Sequence, residues 1–237
     1  MFRALLDIVF PPLCHACKEF IPDAGDLHLC TTCRGEVHSV SSPLCTVCGV
    51  PFATPGGIDH PCGACLVTHP RFAAARAAVL FDGVARDLIH RFKYDKKVHL
   101  ARPLALLTKE ALTSFVASLS ADLLIPVPLH RRRLRERGFN QAVLLCRPLA
   151  KAWNIPLVVD NLQRIRWTEP QVTLSASERE ANVRGAFALA DPAAVRGRKV
   201  ILLDDVYTTG STVAECSRVL RQAGAEEVYV ITVARAV

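Results

Sequence analysis

The last third of the chain alternates between short apolar runs and an amphipathic period. KVILLDDV (199–206) carries the run Val200 to Leu203 and predicts a buried strand, and EVYVITVARA (227–236) predicts a second. Between them, STVAECSRVLRQAG (211–224) sets Val213, Cys216, Val219, Leu220 and Ala223 on one helical face and Glu215, Arg218 and Arg221 on the opposite one, with Gly224 as the stop. A strand, helix and strand of this length imply a right-handed parallel crossover, hence an α/β sheet.

The same reading upstream gives a strand at AAVLFDG (77–83) and a helix at VARDLIHRFKY (84–94) with Val84, Leu88 and Phe92 inward. A longer helix follows at 99–119, where Pro103 fits only near the first turn. LLIPVPL (123–129) and PLVVD (156–160) predict strands, and FNQAVLLCRPLAKAW (139–153) a helical stretch that Pro148 should kink or restart. Residues 161–187 lack a sustained apolar period, apart from SASE, where Ser175 and Glu178 form a capping-box pattern for a short helix.

The first 70 residues follow neither period. Eight of the ten cysteines lie there, as CxxC pairs Cys14/Cys17, Cys30/Cys33, Cys45/Cys48 and Cys62/Cys65. A CxxC turn aims two thiolates at one ion, and two turns complete a tetrahedron, so the eight fit two closed structural zinc sites. Neighbouring turns close shorter loops, whereas an interleaved pairing of first with third and second with fourth is also compatible with the spacing. His15, His28, His38, His60 and His69 are surplus to these ligand sets and read as solvated or supporting residues. The chain therefore divides into a zinc-binding unit, 1–70, and an α/β unit, 71–237.

At 237 residues and 51% hydrophobic content the chain can bury one good core and a small second unit. The opening MFRALLDIVFPP is too short and too interrupted for an export signal, and no apolar run is long enough to span a membrane. A cytoplasmic protein is the expectation, where paired cysteines hold metal rather than form disulfides. Of the net charge of +7, residues 1–70 contribute −3 and the remainder +10, so a polyanionic partner should meet the C-terminal unit.

Candidate chemistry concentrates in VILLDDVYTTGST (200–212). Ligands of open parallel sheets collect at the C-terminal strand ends, where helix N-termini attract anions. Thr208, Thr209, Gly210, Ser211 and Thr212 offer backbone N–H groups and hydroxyls suited to a phosphate monoester. Asp204 and Asp205 would repel that phosphate, but they suit the vicinal hydroxyls of a sugar on the same ligand. Neither GxxxxGK[ST] nor GxGxxG occurs, which excludes the commonest nucleotide and dinucleotide loops.

These residues resemble the phosphoribosyl pyrophosphate (PRPP) signature of type I phosphoribosyltransferases. Together with the four CxxC pairs, RFKY (91–94), PVPLHRRRLRERGFNQA (126–142) and an Arg-Thr-Gln-Ser-Arg-Asn series over 166–182, the whole chain is similar to the ComF family. That resemblance implies a double zinc ribbon ahead of a phosphoribosyltransferase domain, and some members are implicated in DNA uptake during natural transformation. It further implies that Asp204 and Asp205 hold the ribose hydroxyls and assist catalysis, with Asp205 a candidate proton acceptor, and that residues 208–212 hold the 5-phosphate.

The loop from Pro128 to Arg133 would grip pyrophosphate, with Mg²⁺ bridging it to the ribose. Arg131, Arg132, Arg137 and Lys93 are candidates for pyrophosphate or nucleic acid, while Arg133 and Arg135 read equally well as a solvated face. Arg164, Arg166, Thr168, Gln171 and Arg179 are placed to close as a lid. The basic run, with Arg86, Arg91, Lys96 and Lys97, also reads as a track for single-stranded DNA, and competence or DNA-processing proteins as partners.

Overall fold

The computed structural model describes residues 11–22, 25–54, 56–168 and 176–237. Ser175 and Gln171 lie outside the described residues, as do the side chains of the lid candidate Arg179 and of Ala176, Ser177 and Glu180 in the helix that carries it.

The described residues of the zinc-binding unit include two short helices, each starting on a cysteine turn: α1 (Thr31–Gly35) behind Cys30 and α2 (Gly63–Thr68) behind Cys62. The α/β unit follows as β1 (Ala74–Leu80), α3 (Gly83–Tyr94), α4 (Ala101–Leu119), β2 (Leu123–Pro126), α5 (Arg131–Arg137), α6 (Gln141–Trp153), β3 (Leu162–Arg164), α7 (Ala176–Val183), β4 (Phe187–Leu189), β5 (Lys199–Tyr207), α8 (Ser211–Gln222) and β6 (Glu227–Arg235).

The main sheet has the order β1-β6-β5-β2 and is parallel throughout. Both faces are covered, which is why β5 and β6 read as continuous apolar runs rather than alternating ones. On β5, Ile201 and Leu203 face a core shared with Leu88, Ile89 and Phe92 of α3, Leu104 of α4 and Leu145 and Leu149 of α6. Val200 and Leu202 face the opposite core, built on Val213, Cys216 and Leu220 of α8 and on Phe187 of β4.

The cysteine unit straddles the edge of this sheet. Cys14, Leu27, Leu29 and Cys33 enter the first core, and Cys45, Cys48 and Cys65 the second. The segment joining the two halves pairs with the edge strand: Ser39 bridges Val79, and Ala75 N–H donates to Val47 O at 2.6 Å. An exposed sheet edge is thereby covered. Gly49 is required here, since a Cβ at that position would stand 2.4 Å from Ala75 O.

Several expectations need correction. The expected loop from Pro128 to Arg133 gives way to a helix after His130: Arg131–Arg137 form α5, capped by His130 Nδ1 accepting from Arg132 N–H and closed by Gly138 in the left-handed region. Of the kink or restart expected at Pro148, the restart is excluded, since α6 runs from Gln141 to Trp153 as one helix. PLVVD makes a single parallel bridge, Leu157 to Leu124, rather than a strand. The weakly patterned segment hides a small antiparallel pair, β3 with β4, whose three-residue strands are too short to show a period. Glu215, expected on the solvent face of α8, is buried, accepting Gly185 N–H at 2.7 Å and binding Arg218 through both oxygens.

Candidate functional site

A crevice opens where β2 and β5 part. Their ladder ends at Pro126 opposite Leu203, with Val127 N–H donating to Leu203 O at 2.8 Å. Beyond it β5 continues to Tyr207 paired only with β6. Helix α6, reached from β2 through α5, packs on one face of the sheet and α8, which follows β5, on the other, so the chains diverge and Asp204 and Asp205 lose their neighbour on one side. The resulting cavity, about 430 Å³, is lined by both acids, by Thr208, Gly210, Ser211 and Thr212, and by Lys93, Arg133, Arg137, Asn140, Gln141 and Arg164.

Its charges are held in tension. Lys93, from the last turn of α3, places Nζ 2.9 Å from Asp205 Oδ1. Asp204 Oδ1 accepts the Asp205 N–H at 2.9 Å. Burial, reinforced by the negative charge of Asp205, pushes the Asp204 carboxyl up to about 7, against the opposing pull of Lys93. Burial also lowers Arg137 and Arg164 from their usual range, with the acids pulling the other way. Gln141 Nε2 and Arg164 Nε are buried donors without a partner among the described residues.

The phosphate-loop candidates differ in position. Gly210 has φ +78° and caps α8, and a Cβ there would lie 2.2 Å from the Tyr207 hydroxyl, so only glycine fits. Thr209 points away from the cavity, its Oγ1 2.9 Å from Ser211 Oγ. First-turn amides of a helix have no intrahelical acceptor, and Ser211 N–H reaches only Thr209 Oγ1 at 3.5 Å.

Of the basic candidates, Arg137 and Lys93 line the cavity, whereas Arg131 and Arg132 do not. Helical geometry explains the division: Arg133 and Arg137, four apart, share the inward face of α5, and Arg132 turns outward to Glu136 at 3.2 Å. Arg132 and Arg133 also stand over the ring of Trp167, at 4.8 and 5.6 Å. Among the lid candidates, Arg164 donates to the Thr168 hydroxyl, and Arg166 donates to Asn182 O and Arg184 O, fastening the neck of the segment.

Sequence reasoning passed over Asn140, Gln141 and Trp167. Asn140 caps α6 through Ala142 N–H and ties Val127 O with its amide, a role that Asn directly before an apolar helical period signals. Nothing in the sequence announces Trp167 or Gln141.

The cysteines gather as Cys14, Cys17, Cys30, Cys33 and as Cys45, Cys48, Cys62, Cys65, so neighbouring turns pair and interleaving is ruled out. Tetrahedral zinc with Zn–S near 2.3 Å requires sulfurs about 3.8 Å apart. Cys17 and Cys30 Sγ lie 3.7 Å apart, and Cys48 and Cys62 Sγ 3.8 Å. Both tetrads thus fit a structural zinc ion. Burial raises Cys14 and Cys45, but backbone N–H groups, led by those of Cys30 and Cys62, outweigh it and bring each thiol down to about 6. No described helix is long and apolar enough to cross a membrane.

Sheet, crevice and tetrads together define a double zinc ribbon joined to a phosphoribosyltransferase-type domain. Residues 5–66 match the double zinc ribbon domain and residues 140–236 the phosphoribosyl transferase domain. The chain belongs to the ComF family. It is 36% identical over 230 residues to "DNA utilization protein YhgH" of Salmonella typhimurium, covering 94% of this chain and 96% of that one. It is 34% identical over 222 residues to "Competence protein F" of Haemophilus influenzae, covering 87% and 96%. With "Competence protein ComFC" of Bacillus subtilis the identity is 26% over 209 residues, covering 84% and 80%.

Proposed function

We propose that the chain binds PRPP with Mg²⁺ in the crevice and transfers its phosphoribosyl group to an acceptor, in a ComF-like role connected with DNA. The observation that carries this reading is the meeting, in one cavity, of an acid pair, a helix-capping loop of small hydroxylated residues and the guanidinium groups of Arg133 and Arg137. In this reading Asp204 and Asp205 take the ribose hydroxyls and Ser211 and Thr212 with the loop amides take the 5-phosphate. Arg133 and Arg137 stabilise the departing pyrophosphate, and the acids stabilise positive charge developing on the ribose. Asp204, raised to about 7, is placed to accept a proton.

Among the described residues, only the cysteine tetrads gather three or more metal-binding side chains. Magnesium would therefore arrive on the oxygens of PRPP, with Asp204 as an added ligand, and its chemistry when bound is to neutralise the leaving charge. The test is pyrophosphate release from PRPP and Mg²⁺ across a panel of acceptors. Acceptor-dependent release that disappears in Asp204→Asn/Asp205→Asn supports transfer; release untouched by that variant refutes it.

A second reading, a non-catalytic module for PRPP and single-stranded DNA, draws on the outward face of α5. There Arg131 and Arg132 stand outside the crevice, and the half-buried ring of Trp167 lies beneath Arg132 and Arg133. Cations beside an aromatic ring suit a sugar-phosphate strand. PRPP binding without turnover, with salt-sensitive retention of single-stranded DNA lost in Arg131→Ala/Arg132→Ala, favours this module over the transferase.

A further inference from the structure

The two cysteine tetrads meet the α/β unit differently. At the first, the guanidinium of Arg91 reaches backbone oxygens only, His15 O at 2.5 Å and Ala16 O at 3.0 Å. At the second, Arg235 at the end of β6 donates to Cys48 O at 2.6 Å and approaches Cys48 Sγ at 3.6 Å. Arg235 is 7% exposed, and among the described residues no carboxylate pairs with it. A buried guanidinium needs a counter-charge. Four thiolates on one Zn²⁺ would carry a formal charge of about −2, so a metal-loaded tetrad would supply that counter-charge.

The other side of Arg235 lies against the substrate loop. Its guanidinium sits 4.3 Å from the ring centre of Tyr207, the residue paired with it across β5 and β6. Tyr207, 7% exposed, forms the floor under Gly210, so tightly that no Cβ fits between them. Behind this floor a second cavity of about 510 Å³ separates the second ribbon from the outer wall of the loop, and Cys48, Tyr207, Thr209 and Arg235 line it. The loop has space to settle into once its floor moves.

We infer that Arg235 is a positioning residue that couples metal occupancy of the second tetrad to the shape of the 208–212 loop, through Cys48, Tyr207 and Gly210. This rests on the reading of that loop as the seat of the PRPP phosphate. When zinc leaves, the sulfurs beside Arg235 are no longer held together, its contacts with Cys48 and its stack on Tyr207 are no longer fixed, and the loop loses its floor. Linkage is reciprocal: whatever factor zinc loss costs in PRPP affinity, bound PRPP must return as tighter zinc retention at that tetrad.

The test uses the full-length, zinc-loaded protein. Calorimetry first establishes whether Mg-PRPP binds; zinc release to a chromogenic chelator is then followed with and without Mg-PRPP, and alkylation mapped by mass spectrometry shows which cysteines open. The expected result is that Mg-PRPP slows opening of Cys45, Cys48, Cys62 and Cys65 by about tenfold and leaves Cys14, Cys17, Cys30 and Cys33 unchanged. Arg235→Met should abolish this protection and weaken PRPP binding by a similar factor, with Arg235→Lys intermediate, while opening of the first tetrad stays at the wild-type rate.

Should Arg235→Met fail to fold, the wild-type protection pattern decides alone. PRPP binding with equal release from both tetrads overturns the coupling while sparing the reading of the crevice. Absence of PRPP binding to the zinc-loaded wild type overturns both.

Discussion

The cysteine tetrads and the crevice handle charge in opposite ways. In the tetrads the backbone is arranged around the sulfurs: Cys30 and Cys62 N–H groups donate to Cys14 and Cys45 Sγ at 3.4 and 3.2 Å, and the thiolates fit an ion with no position left open. In the crevice two carboxylates sit side by side, one of them pushed up to about 7, facing arginines weakened by burial and a buried amide with no partner among the described residues. The first arrangement is complete and serves stability. The second is left unbalanced, which is how a fold that stores binding capacity for a charged ligand differs from one that only holds itself together.

Removing the metal breaks the comparison most severely, because structural zinc contributes about 10–16 kcal/mol of binding free energy per site in isolated ribbons. Chelation should collapse amide protection through residues 11–70 and along β1, whose edge is covered by the segment around Ser39, while β5 and β6 stay protected. Hydrogen exchange checks this, and loss of protection in β5 at the same rate would show that the two units are one cooperative structure. Elemental analysis should find two zinc ions per chain.

The next effect falls on the crevice. Asp204→Asn/Asp205→Asn should weaken PRPP binding by about a hundredfold, near 3 kcal/mol, without altering zinc content. On helix α5, Arg137→Ala should cost about 1.5–3 kcal/mol of PRPP affinity as one charged hydrogen-bonding group is lost, and Arg131→Ala almost nothing, since Arg131 lies outside the cavity. Equal losses from the two arginines would mean that α5 rotates on binding.

The smallest effect has the opposite sign. The folded Asp204 carboxyl titrates near 7, above its ordinary value near 4, so the native state holds a proton that the unfolded chain releases. Stability is therefore lost as pH rises from about 4 to about 7 and is level above that. Asp204→Asn should stabilise the protein at pH 8 by about 1–2 kcal/mol, and by less at pH 5, as read by urea unfolding. A variant equally stabilised at both pH values would place the strain elsewhere.

How far the sequence spoke depended on the range of each interaction. β5, α8 and β6 were legible because buried runs and a helical period are local, and the cysteine turns because CxxC spacing is itself the geometry. The partner of each turn was open until the fold brought Cys14 to Cys30 and Cys45 to Cys62. Arg133 could not be placed beside Arg137, nor Arg131 and Arg132 apart from it, while Pro128 to Arg133 read as loop; the helix sorts them by face. Trp167 and Arg235 act through neighbours far away in the chain, Arg235 on Cys48 at a separation of 187 residues, and no local pattern marks such a contact.

The central claim is that the crevice between β2 and β5 seats a ribose phosphate by its acids and its loop. Calorimetric titration of zinc-loaded protein with Mg-PRPP, beside Asp204→Asn/Asp205→Asn, tests it most directly. One saturable site in the wild type, lost in the variant with both zinc ions retained, is the expected result. Heat of binding that is absent in the wild type, or undiminished in the variant, contradicts the claim.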